Sequence, residues 1–273
     1  MNIKPKELVE DENVDLVYVT TPHNLHFENA LMCIERGKNV LVEKPFTVNR
    51  KQAEILIEKA KENNIFVCEA MWTRFMPSRK MLEQVIDSKI IGNIYQVTAD
   101  LSYPMQSKER IIRKELAGGA LLDIGIYPLS FAQTVIEEEP INVDGLCTYL
   151  ESGVDANDSI TLTYQGNKTA VLTSSMMVSS SRTGVIYGEK GYIVVEHIGN
   201  IDFINIYDSN DTLLQRLKTP EQINGYEYEI IACKKALEKG KLECEEHTHE
   251  NTLQILSWMD ILREKWNIKY PFE

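Results

Sequence analysis

The sequence reads VDLVYVT at residues 14–20, NVLVE at residues 39–43 and IFVCEA at residues 65–70. Between these three short apolar runs lie two amphipathic stretches, at residues 26–36 and 49–62, whose apolar residues recur at helical spacing. Strands that are apolar throughout, and that alternate with helices, are typical of a parallel sheet covered on both faces. The first part of the chain is therefore predicted to be an α/β domain built on such a sheet.

The pattern changes after Gly92. Eight short runs that alternate in polarity or are rich in β-branched residues are predicted as strands: residues 94–102, 141–150, 159–164, 168–177, 183–188, 192–197, 202–207 and 213–217. Turn-forming triplets such as Gln165-Gly166-Asn167 separate several of them. One helix is predicted near residues 120–136, and two more close the chain. The second part is therefore expected to hold a large, mostly antiparallel sheet.

Composition argues against several classes of partner. The 273 residues include 41 acidic and 29 basic side chains, a formal charge of −12, and so acidic a protein repels nucleic-acid phosphates and anionic lipid. No apolar run approaches the ~20 residues that a membrane helix needs. The five cysteines are scattered and form neither a CxxC pair nor a Cys/His set at metal spacing. We therefore expect a cytoplasmic protein with free thiols and no bound metal.

Lys44 is the most informative residue of the first part. Pro45 favours an extended backbone at the residue before it, so the Lys44 side chain is expected to project from the end of the second strand. Ligands bind beyond the carboxyl ends of parallel strands, where a lysine ammonium can polarise a carbonyl or alkoxide oxygen. Glu43 is placed to orient that lysine. A solvated surface lysine is the alternative interpretation.

A second set of polar residues follows a glycine pair. Gly118 and Gly119 open the helix predicted near residues 120–136, in which Asp123 and Tyr127 are four residues apart and so share one face. A carboxylate and a phenol on one face can handle a proton, and a nearby cation favours ionisation of a phenol. Ordinary helix packing explains the same pattern about as well.

Together these motifs resemble those of the Gfo/Idh/MocA oxidoreductases. The resemblance rests on six motifs in order: TTPHNLH at residues 20–26, EKP at 43–45, EAMWTRF at 69–75, GGALLDIGIYPL at 118–129, NGYEYEI at 224–230 and KYP at 269–271. EKP followed by DxGxY is fairly specific in combination, and neither motif is specific alone. Within the family, the chain looks most like the dimeric dihydrodiol dehydrogenase and sugar dehydrogenase branch.

The resemblance implies a fold and a cofactor. It implies part of a Rossmann domain over residues 1–73, whose parallel sheet lacks its first strands. An α+β domain with a large, open, mostly antiparallel sheet follows over residues 74–273. The implied cofactor is NAD or NADP, and the implied partner is a small sugar or vicinal diol.

The resemblance also implies roles for individual residues. Tyr127 would be the general acid/base, Lys44 would assist it from across the gap between the two domains, and Asp123 would bind substrate hydroxyls or orient the pair. Trp72 would form an apolar wall over the substrate. The cofactor-binding residues would be Thr20, Thr21, Pro22, His23 and Lys44, with Glu43 and Arg74 in supporting roles.

One departure from the family pattern concerns the pyrophosphate. A Rossmann domain opens with a G-x-G-x-x-G turn whose backbone amides hold the dinucleotide, but Gly37 is the first glycine of this chain. We expect a product shortened at its N-terminus or a misplaced start codon, with a genuinely short family member as the alternative. The strand at residues 14–20 would then have an unpaired apolar edge.

Two functions remain open on the sequence. The first is an NAD(P)-dependent oxidoreductase that acts on a sugar or vicinal diol. The second is a truncated, non-catalytic family member that acts by binding or by self-association. Under either hypothesis no predicted helix covers one face of the antiparallel sheet, so a homodimer or higher homo-oligomer is expected to form through that face.

Overall fold

The computed structural model describes residues 5–273. It divides into two compact units, one formed by residues up to 75 together with 226–257, and the other by residues 76–225 together with 258–271. The boundary predicted after residue 73 falls close to the first of these breaks. The prediction assigned each domain one continuous segment, 1–73 and 74–273, whereas in the structure residues 226–257 belong to the first unit. Residues 1–4 of the predicted first domain lie outside the described residues.

The first unit is built on a three-stranded parallel sheet. Its elements up to residue 75 are α1 (Pro5–Glu10), β1 (Leu16–Val19), α2 (His26–Glu35), β2 (Asn39–Glu43), α3 (Arg50–Glu62) and β3 (Val67–Ala70). The strand order is β1-β2-β3, and both pairs are parallel, as the three apolar runs predicted. Among the described residues, β1 pairs with β2 alone.

Helices cover both faces of this sheet, because its strands are apolar on both sides. Helix α2 packs against β1 and β2. The opposite face carries Leu41, which belongs to a buried cluster with residues of β3 and of helix α7 (Glu227–Glu238). The predicted covering of both faces is confirmed, but one of the covering helices comes from near the end of the chain. Helix α8 (His249–Lys265) follows, and none of the helices within residues 5–273 is long and apolar enough to cross a membrane.

The second unit contains an eight-stranded sheet. It begins with α4 (Pro77–Asp87), β4 (Ile94–Ser102), α5 (Glu109–Ile112) and α6 (Ile126–Val135). Seven further strands follow: β5 (Asn142–Tyr149), β6 (Asp155–Thr163), β7 (Thr169–Ser175), β8 (Gly184–Gly188), β9 (Gly191–Glu196), β10 (Phe203–Asp208) and β11 (Leu213–Lys218). The order is β11-β10-β9-β8-β4-β7-β6-β5, and only the β4–β7 pair is parallel. The predicted mostly antiparallel sheet is therefore confirmed.

The two faces of this sheet differ in polarity because side chains alternate along each strand. One row across four adjacent strands is fully buried, on the face against which α6 packs: Leu162, Ala170, Val97 and Ile186. The next row projects from the opposite face and is partly or fully exposed: Thr161, Val171, Thr98 and Val185. The second face therefore carries threonine and valine side chains that remain open to solvent.

The helix that carries Asp123 and Tyr127 does not begin as the ordinary α-helix that the sequence predicted. Its first turn, Leu121–Gly125, is a π-helix, and α6 continues from it. A π-helical turn is rare and is often found at functional sites. Asp123 thus lies in the widened turn, and Tyr127 lies in the first turn of the α-helix.

The glycine pair before this turn is required by close packing. A Cβ on Gly118 would lie 2.2 Å from the carbonyl oxygen of Ile111, and one on Gly119 would lie 2.2 Å from Oδ1 of Asp155. Gly119 also has a φ of +127°, which L side chains rarely adopt. Both positions therefore exclude any larger residue without a shift of their neighbours.

Two side chains from distant parts of the second unit hold this turn. Oδ2 of Asp155 accepts a hydrogen bond of 2.5 Å from the backbone N–H of Leu121, one of the N–H groups that a helix start leaves without a helical partner. The hydroxyl of Tyr270 donates to the carbonyl oxygen of Gly118 at 2.9 Å, and the Arg263 guanidinium lies over the Tyr270 ring. The KYP motif at the end of the chain therefore supports the GGALLDIG motif.

Asp155 is one member of a buried pair of carboxyl groups. Asp155 and Asp158 are 1% and 2% exposed, and Ser174 donates to Oδ2 of Asp158 at 2.7 Å. Burial raises the pKa of Asp155 to about 6, although the N–H of Leu121 opposes that shift. Burial and the charge of Asp155 raise the pKa of Asp158 well above its usual range. The pair therefore retains a proton at pH values where exposed aspartates are ionised.

Asp158→Asn is predicted to flatten the dependence of stability on pH. A carboxyl whose pKa is higher in the folded protein than in the unfolded chain contributes its full stability below the unfolded pKa, and this contribution is lost as the pH rises through the folded pKa. Asp158 is such a carboxyl, because burial and the charge of Asp155 raise its pKa well above the usual range. Asparagine at position 158 has nearly the same shape and no charge. We expect the melting temperature at pH 8 to rise by roughly 2–4 °C relative to the unmodified protein.

Differential scanning calorimetry at pH 5 and pH 8 would measure this effect. The control is Glu151→Gln, which neutralises an exposed carboxylate in a turn of the same unit. A melting temperature that falls equally from pH 5 to pH 8 in Asp158→Asn and in the unmodified protein would contradict the proton sharing of this pair.

Candidate active site

The ends of the parallel strands bring several predicted site residues to one edge of the first sheet. β1 and β2 pair in parallel with Val19 opposite Val42, so the segment that begins at Thr20 leaves the sheet beside Glu43 and Lys44. The Lys44–Pro45 peptide bond is cis. The backbone N–H of Lys44 donates to Oε2 of Glu43 at 3.2 Å, which places the Glu43 carboxylate directly beside the lysine backbone.

His26 joins the two segments that follow β1 and β2. One ring nitrogen lies 2.8 Å from the carbonyl oxygen of Thr21 and the other lies 2.8 Å from that of Pro45. The ring is 1% exposed, and this burial lowers its pKa to about 4. The neutral His26 ring therefore connects the TTPH and EKP segments through these two hydrogen bonds, which is a structural role. His26 is also the first residue of α2, as the helical pattern at residues 26–36 predicted.

Glu69 fixes the EKP segment from the end of β3. Its Oε1 accepts the backbone N–H of Phe46 at 2.9 Å, and its Oε2 accepts hydrogen bonds of 2.8 Å from Thr252 and His247. Burial alone would raise the pKa of Glu69, but these partners outweigh it and hold that pKa below its usual value. The glutamate of EAMWTRF therefore anchors the loop that follows Lys44.

The two histidines of the ECEEHTHE stretch, residues 243–250, are buried. His247 is 1% exposed and His249 is 7% exposed. His247 bonds to Glu69, and Nε2 of His249 bonds to the carbonyl oxygen of Val67 at 2.8 Å. Within residues 5–273, no group of three or more His, Cys, Asp or Glu side chains is arranged to hold a metal ion. These imidazoles therefore join the start of α8 to β3.

A chain of hydrogen bonds ends at Glu43. The hydroxyl of Tyr18, in the middle of β1, lies 2.5 Å from Oε1 of Glu43 and 2.9 Å from Oε1 of Glu229 on α7. Burial, followed by the hydrogen bond to Glu43, raises the pKa of Tyr18 well above its ordinary value, so the phenol remains protonated. Three side chains from β1, β2 and α7 thus meet beside Lys44.

Trp72 lies in the same unit, in the short helix after β3. Its indole stacks on the ring of Tyr226, with centroids 4.8 Å apart and planes at 16°. Burial raises the pKa of Tyr226, the carboxylates of Glu43 and Glu229 add to that effect, and Lys44 opposes it. The Tyr226 phenol therefore lies within electrostatic reach of Glu43, Glu229 and Lys44.

The second unit holds Asp123 and Tyr127. Asp123 is 4% exposed, and its Oδ1 accepts a hydrogen bond of 2.6 Å from Nη1 of Arg110 on α5. Tyr127 is half-buried. The carboxylate that the sequence expected to bind substrate hydroxyls is therefore paired with an arginine, a partner that no sequence pattern indicated.

The predicted site residues thus fall into two groups. Those in the first unit are Thr20, Thr21, Pro22, His23, Glu43, Lys44, Trp72 and Arg74. Thr20 is exposed and Thr21 accepts a hydrogen bond from Asn29, whereas His23 and Arg74 are buried. Asp123 and Tyr127 lie together in the second unit.

Tyr18 and Glu229 are the residues near Lys44 that the sequence interpretation missed. A tyrosine within an apolar strand is usually a core residue, and an acidic residue in the first turn of a helix usually faces solvent near the positive end of the helix dipole. Glu229 is instead fully buried. The available signal was the NGYEYEI motif, which was noted for its resemblance to the family and not for its chemistry.

Both parts of the chain match known protein domains. Residues 3–70 match the NAD-binding Rossmann domain of the GFO/IDH/MocA oxidoreductase family. Residues 80–194 match the GFO/IDH/MocA C-terminal domain. The two matches are in the order that the motifs predicted.

Individual relatives match over nearly the whole chain. Trans-1,2-dihydrobenzene-1,2-diol dehydrogenase of Xenopus laevis is 34% identical over 97% of this chain and 82% of its own length. An NADP(+)-dependent scyllo-inositol 2-dehydrogenase of Bacillus subtilis is 32% identical over the same shares. The crystal structure of KijD10, a 3-ketoreductase from Actinomadura kijaniata in complex with NADP and TDP-benzene, superposes with a TM-score of 0.85 at 26% identity. It covers 97% of this chain and 82% of that one.

These matches agree with the parallel sheet, the eight-stranded second sheet and the EKP and DxGxY motifs described above. They also agree with the predicted nicotinamide cofactor, since the matched first domain is an NAD-binding one. The chain belongs to the GFO/IDH/MocA family of NAD(P)-dependent oxidoreductases.

Proposed function

We propose that this protein is a dehydrogenase or reductase that interconverts a CH–OH group and a carbonyl in a sugar or a vicinal diol. The observation that carries the proposal is the position of Lys44, at the end of a parallel strand, beside a carboxylate that Tyr18 holds in place. The relatives support the substrate class, because their names describe dehydrogenases of a cyclic diol and of an inositol. Five free cysteines are compatible with a reducing compartment, and we propose the cytoplasm.

The described residues fit the nicotinamide end of the cofactor. The hydroxyls of Thr20 and Thr21 and the ammonium of Lys44 follow adjacent strands, at the edge where α/β sheets bind ligands. The chain has no G-x-G-x-x-G pattern among its 14 glycines, so these segments are the ones we assign to the cofactor, together with His23, Pro22, Glu43 and Arg74. When bound, the nicotinamide gives or accepts a hydride.

In this proposal Tyr127 exchanges a proton with the reacting hydroxyl and the Lys44 ammonium stabilises the phenolate that results. Asp123, oriented by Arg110, accepts a hydrogen bond from a neighbouring substrate hydroxyl. Trp72, held flat against Tyr226, offers an apolar face to the carbon skeleton. Positioning and a route for one proton are the whole contribution that such a reaction requires of the protein.

Lys44→Ala and Tyr127→Phe are each predicted to lower kcat by a factor on the order of 10² or more, because each removes a group that acts on the transferred proton. The double variant is expected to lose little more than either single variant, since residues that act as a unit are not additive. Steady-state oxidation of myo-inositol, D-xylose and a trans-diol with NADP(+) would measure this.

The controls are Lys51→Ala, on the exposed surface of α3, and Tyr187→Phe, on the exposed face of the second sheet. Both are expected to keep the turnover of the unmodified protein. Full turnover in Lys44→Ala and in Tyr127→Phe would show that these roles are assigned to the wrong residues.

We also propose that the open face of the second sheet forms a homodimer. Leu146 and Val171 are 79% and 41% exposed on that face. Val171 is in register with Thr98 and Thr161, and Leu146 is in register with Ser159. A sheet face that carries apolar side chains gains stability when it is covered. Self-association of this kind is compatible with catalysis and also with the non-catalytic alternative.

Val171→Asp is predicted to convert the dimer into a monomer at micromolar concentration, because it places a charge in the middle of the proposed interface. Sedimentation velocity would measure the change. Ile231→Asp is the matched control, because Ile231 is also exposed, at 46%, but lies on α7 in the first unit. A monomeric unmodified protein would contradict the proposed interface.

A further inference from the structure

The hydrogen bonds at Tyr18 impose a condition on protonation. The phenol contacts one oxygen of Glu43 and one oxygen of Glu229, at 2.5 and 2.9 Å, but it carries a single hydrogen. It can donate to only one of the two carboxyl groups. The other contact is a hydrogen bond only if that carboxyl carries a proton and donates it to the phenol oxygen.

Burial identifies the protonated member. Glu229 is 0% exposed, and its second oxygen, Oε2, is buried without a hydrogen-bond partner among the described residues. Glu43 is half-buried and also accepts the N–H of Lys44. An ionised carboxylate with a bare buried oxygen is far less favourable than a neutral acid in the same place, so the proton belongs on Glu229.

We propose that Glu229 and Tyr18 are positioning residues for Lys44, acting through a directed chain of hydrogen bonds. Protonated Glu229 donates to the Tyr18 oxygen, Tyr18 donates to Oε1 of Glu43, and Oε2 of Glu43 accepts the backbone N–H of Lys44. The chain fixes the carboxylate beside the lysine and keeps a second negative charge away from it. The structural part stands by itself, whereas the kinetic consequence rests on the proposed function.

The groups around Glu229 set the pH at which it loses the proton that it donates to Tyr18. Burial raises the pKa of Glu229 to about 7, the contact with the Tyr18 hydroxyl opposes the shift, and Glu43 and then Cys244 add to it. Cys233 lies within electrostatic reach on the same helix, and the Tyr226 phenol is within reach of Glu229, Glu43 and Lys44.

The direction of the pH effect follows from these groups. Above about pH 7 Glu229 loses its proton and can no longer donate to Tyr18. A second carboxylate then faces Glu43 and weakens the positive field around the Lys44 ammonium. We therefore expect kcat to fall as the pH rises through about 7.

Infrared difference spectroscopy of protein with ¹³C-labelled glutamate tests these hydrogen bonds and does not depend on enzymatic activity. The unmodified protein is expected to show the band of a buried, protonated glutamate at pH 6, and to lose it as the pH rises through about 7. Glu229→Gln should lack the band. Glu238→Gln, which changes an exposed glutamate on the same helix, should retain it. A band that survives in Glu229→Gln, or that is absent from the unmodified protein, would overturn the proposal.

Kinetic measurements test the positioning role. Tyr18→Phe and Glu229→Leu are expected to lower kcat by roughly tenfold, the effect of one lost buried hydrogen bond, with KM for the substrate changed by less than about twofold. Glu229→Gln can still donate to Tyr18, so it should recover most of the loss and should remove the fall in kcat near pH 7.

The two levels of the proposal fail in different ways. If the unmodified protein oxidises no sugar or diol, the proposed function fails. The infrared band alone then decides whether the hydrogen bonds from Glu229 through Tyr18 to Glu43 exist as proposed. If the protein is active but Glu229→Gln keeps the fall in kcat near pH 7, the positioning role is wrong while the enzymatic function stands. If Glu229→Gln recovers most of the lost kcat and its kcat no longer falls near pH 7, both the positioning role and the enzymatic function are supported.

Discussion

Parallel pairing of β1 with β2 and of β2 with β3 is the constraint on which the rest of the first unit depends. Parallel strands leave the sheet at the same edge, so the segments that begin at Thr20, Lys44 and Met71 must emerge together. The charged and aromatic groups of three separate motifs therefore come together before any contact between their side chains is considered. Local contacts then only refine their positions.

Buried polar side chains carry out that refinement. Glu69 joins the Phe46 backbone to His247 and Thr252, and His26 joins the segment after β1 to the one after β2. In the second unit Asp155 plays a similar part for the start of the helix that carries Tyr127. An unsatisfied buried polar group costs about 1–3 kcal/mol, so each of these side chains holds its segment in one arrangement. Rigid support of this kind is what proton transfer over hydrogen-bond distances requires.

The sequence predicted the elements well wherever a local signal was strong. Continuous apolar runs identified the three parallel strands, which are buried on both faces. Runs of alternating polarity or rich in β-branched residues identified the eight strands of the second sheet. The π-helical turn at Leu121–Gly125 escaped prediction, because it arises from packing at Gly118 and Gly119 and from the bond between Asp155 and Leu121. The partners Arg110 and Glu229 escaped for the same reason, since neither stands near its counterpart in the chain.

The sequence by itself determined the order of the elements, the acidic surface, the family motifs and the residue types at the candidate site. These properties follow from residue types and from their order along the chain, and none of them requires a contact between distant residues. Only the tertiary structure decided that α7 covers the first sheet, that the ECEEHTHE histidines are buried, and that Tyr18 connects Glu43 to Glu229. The proton we assign to Glu229 depends on that last contact. The protonation state of a carboxyl is set by its burial and by its neighbours in space, and neither can be deduced from its place in the chain.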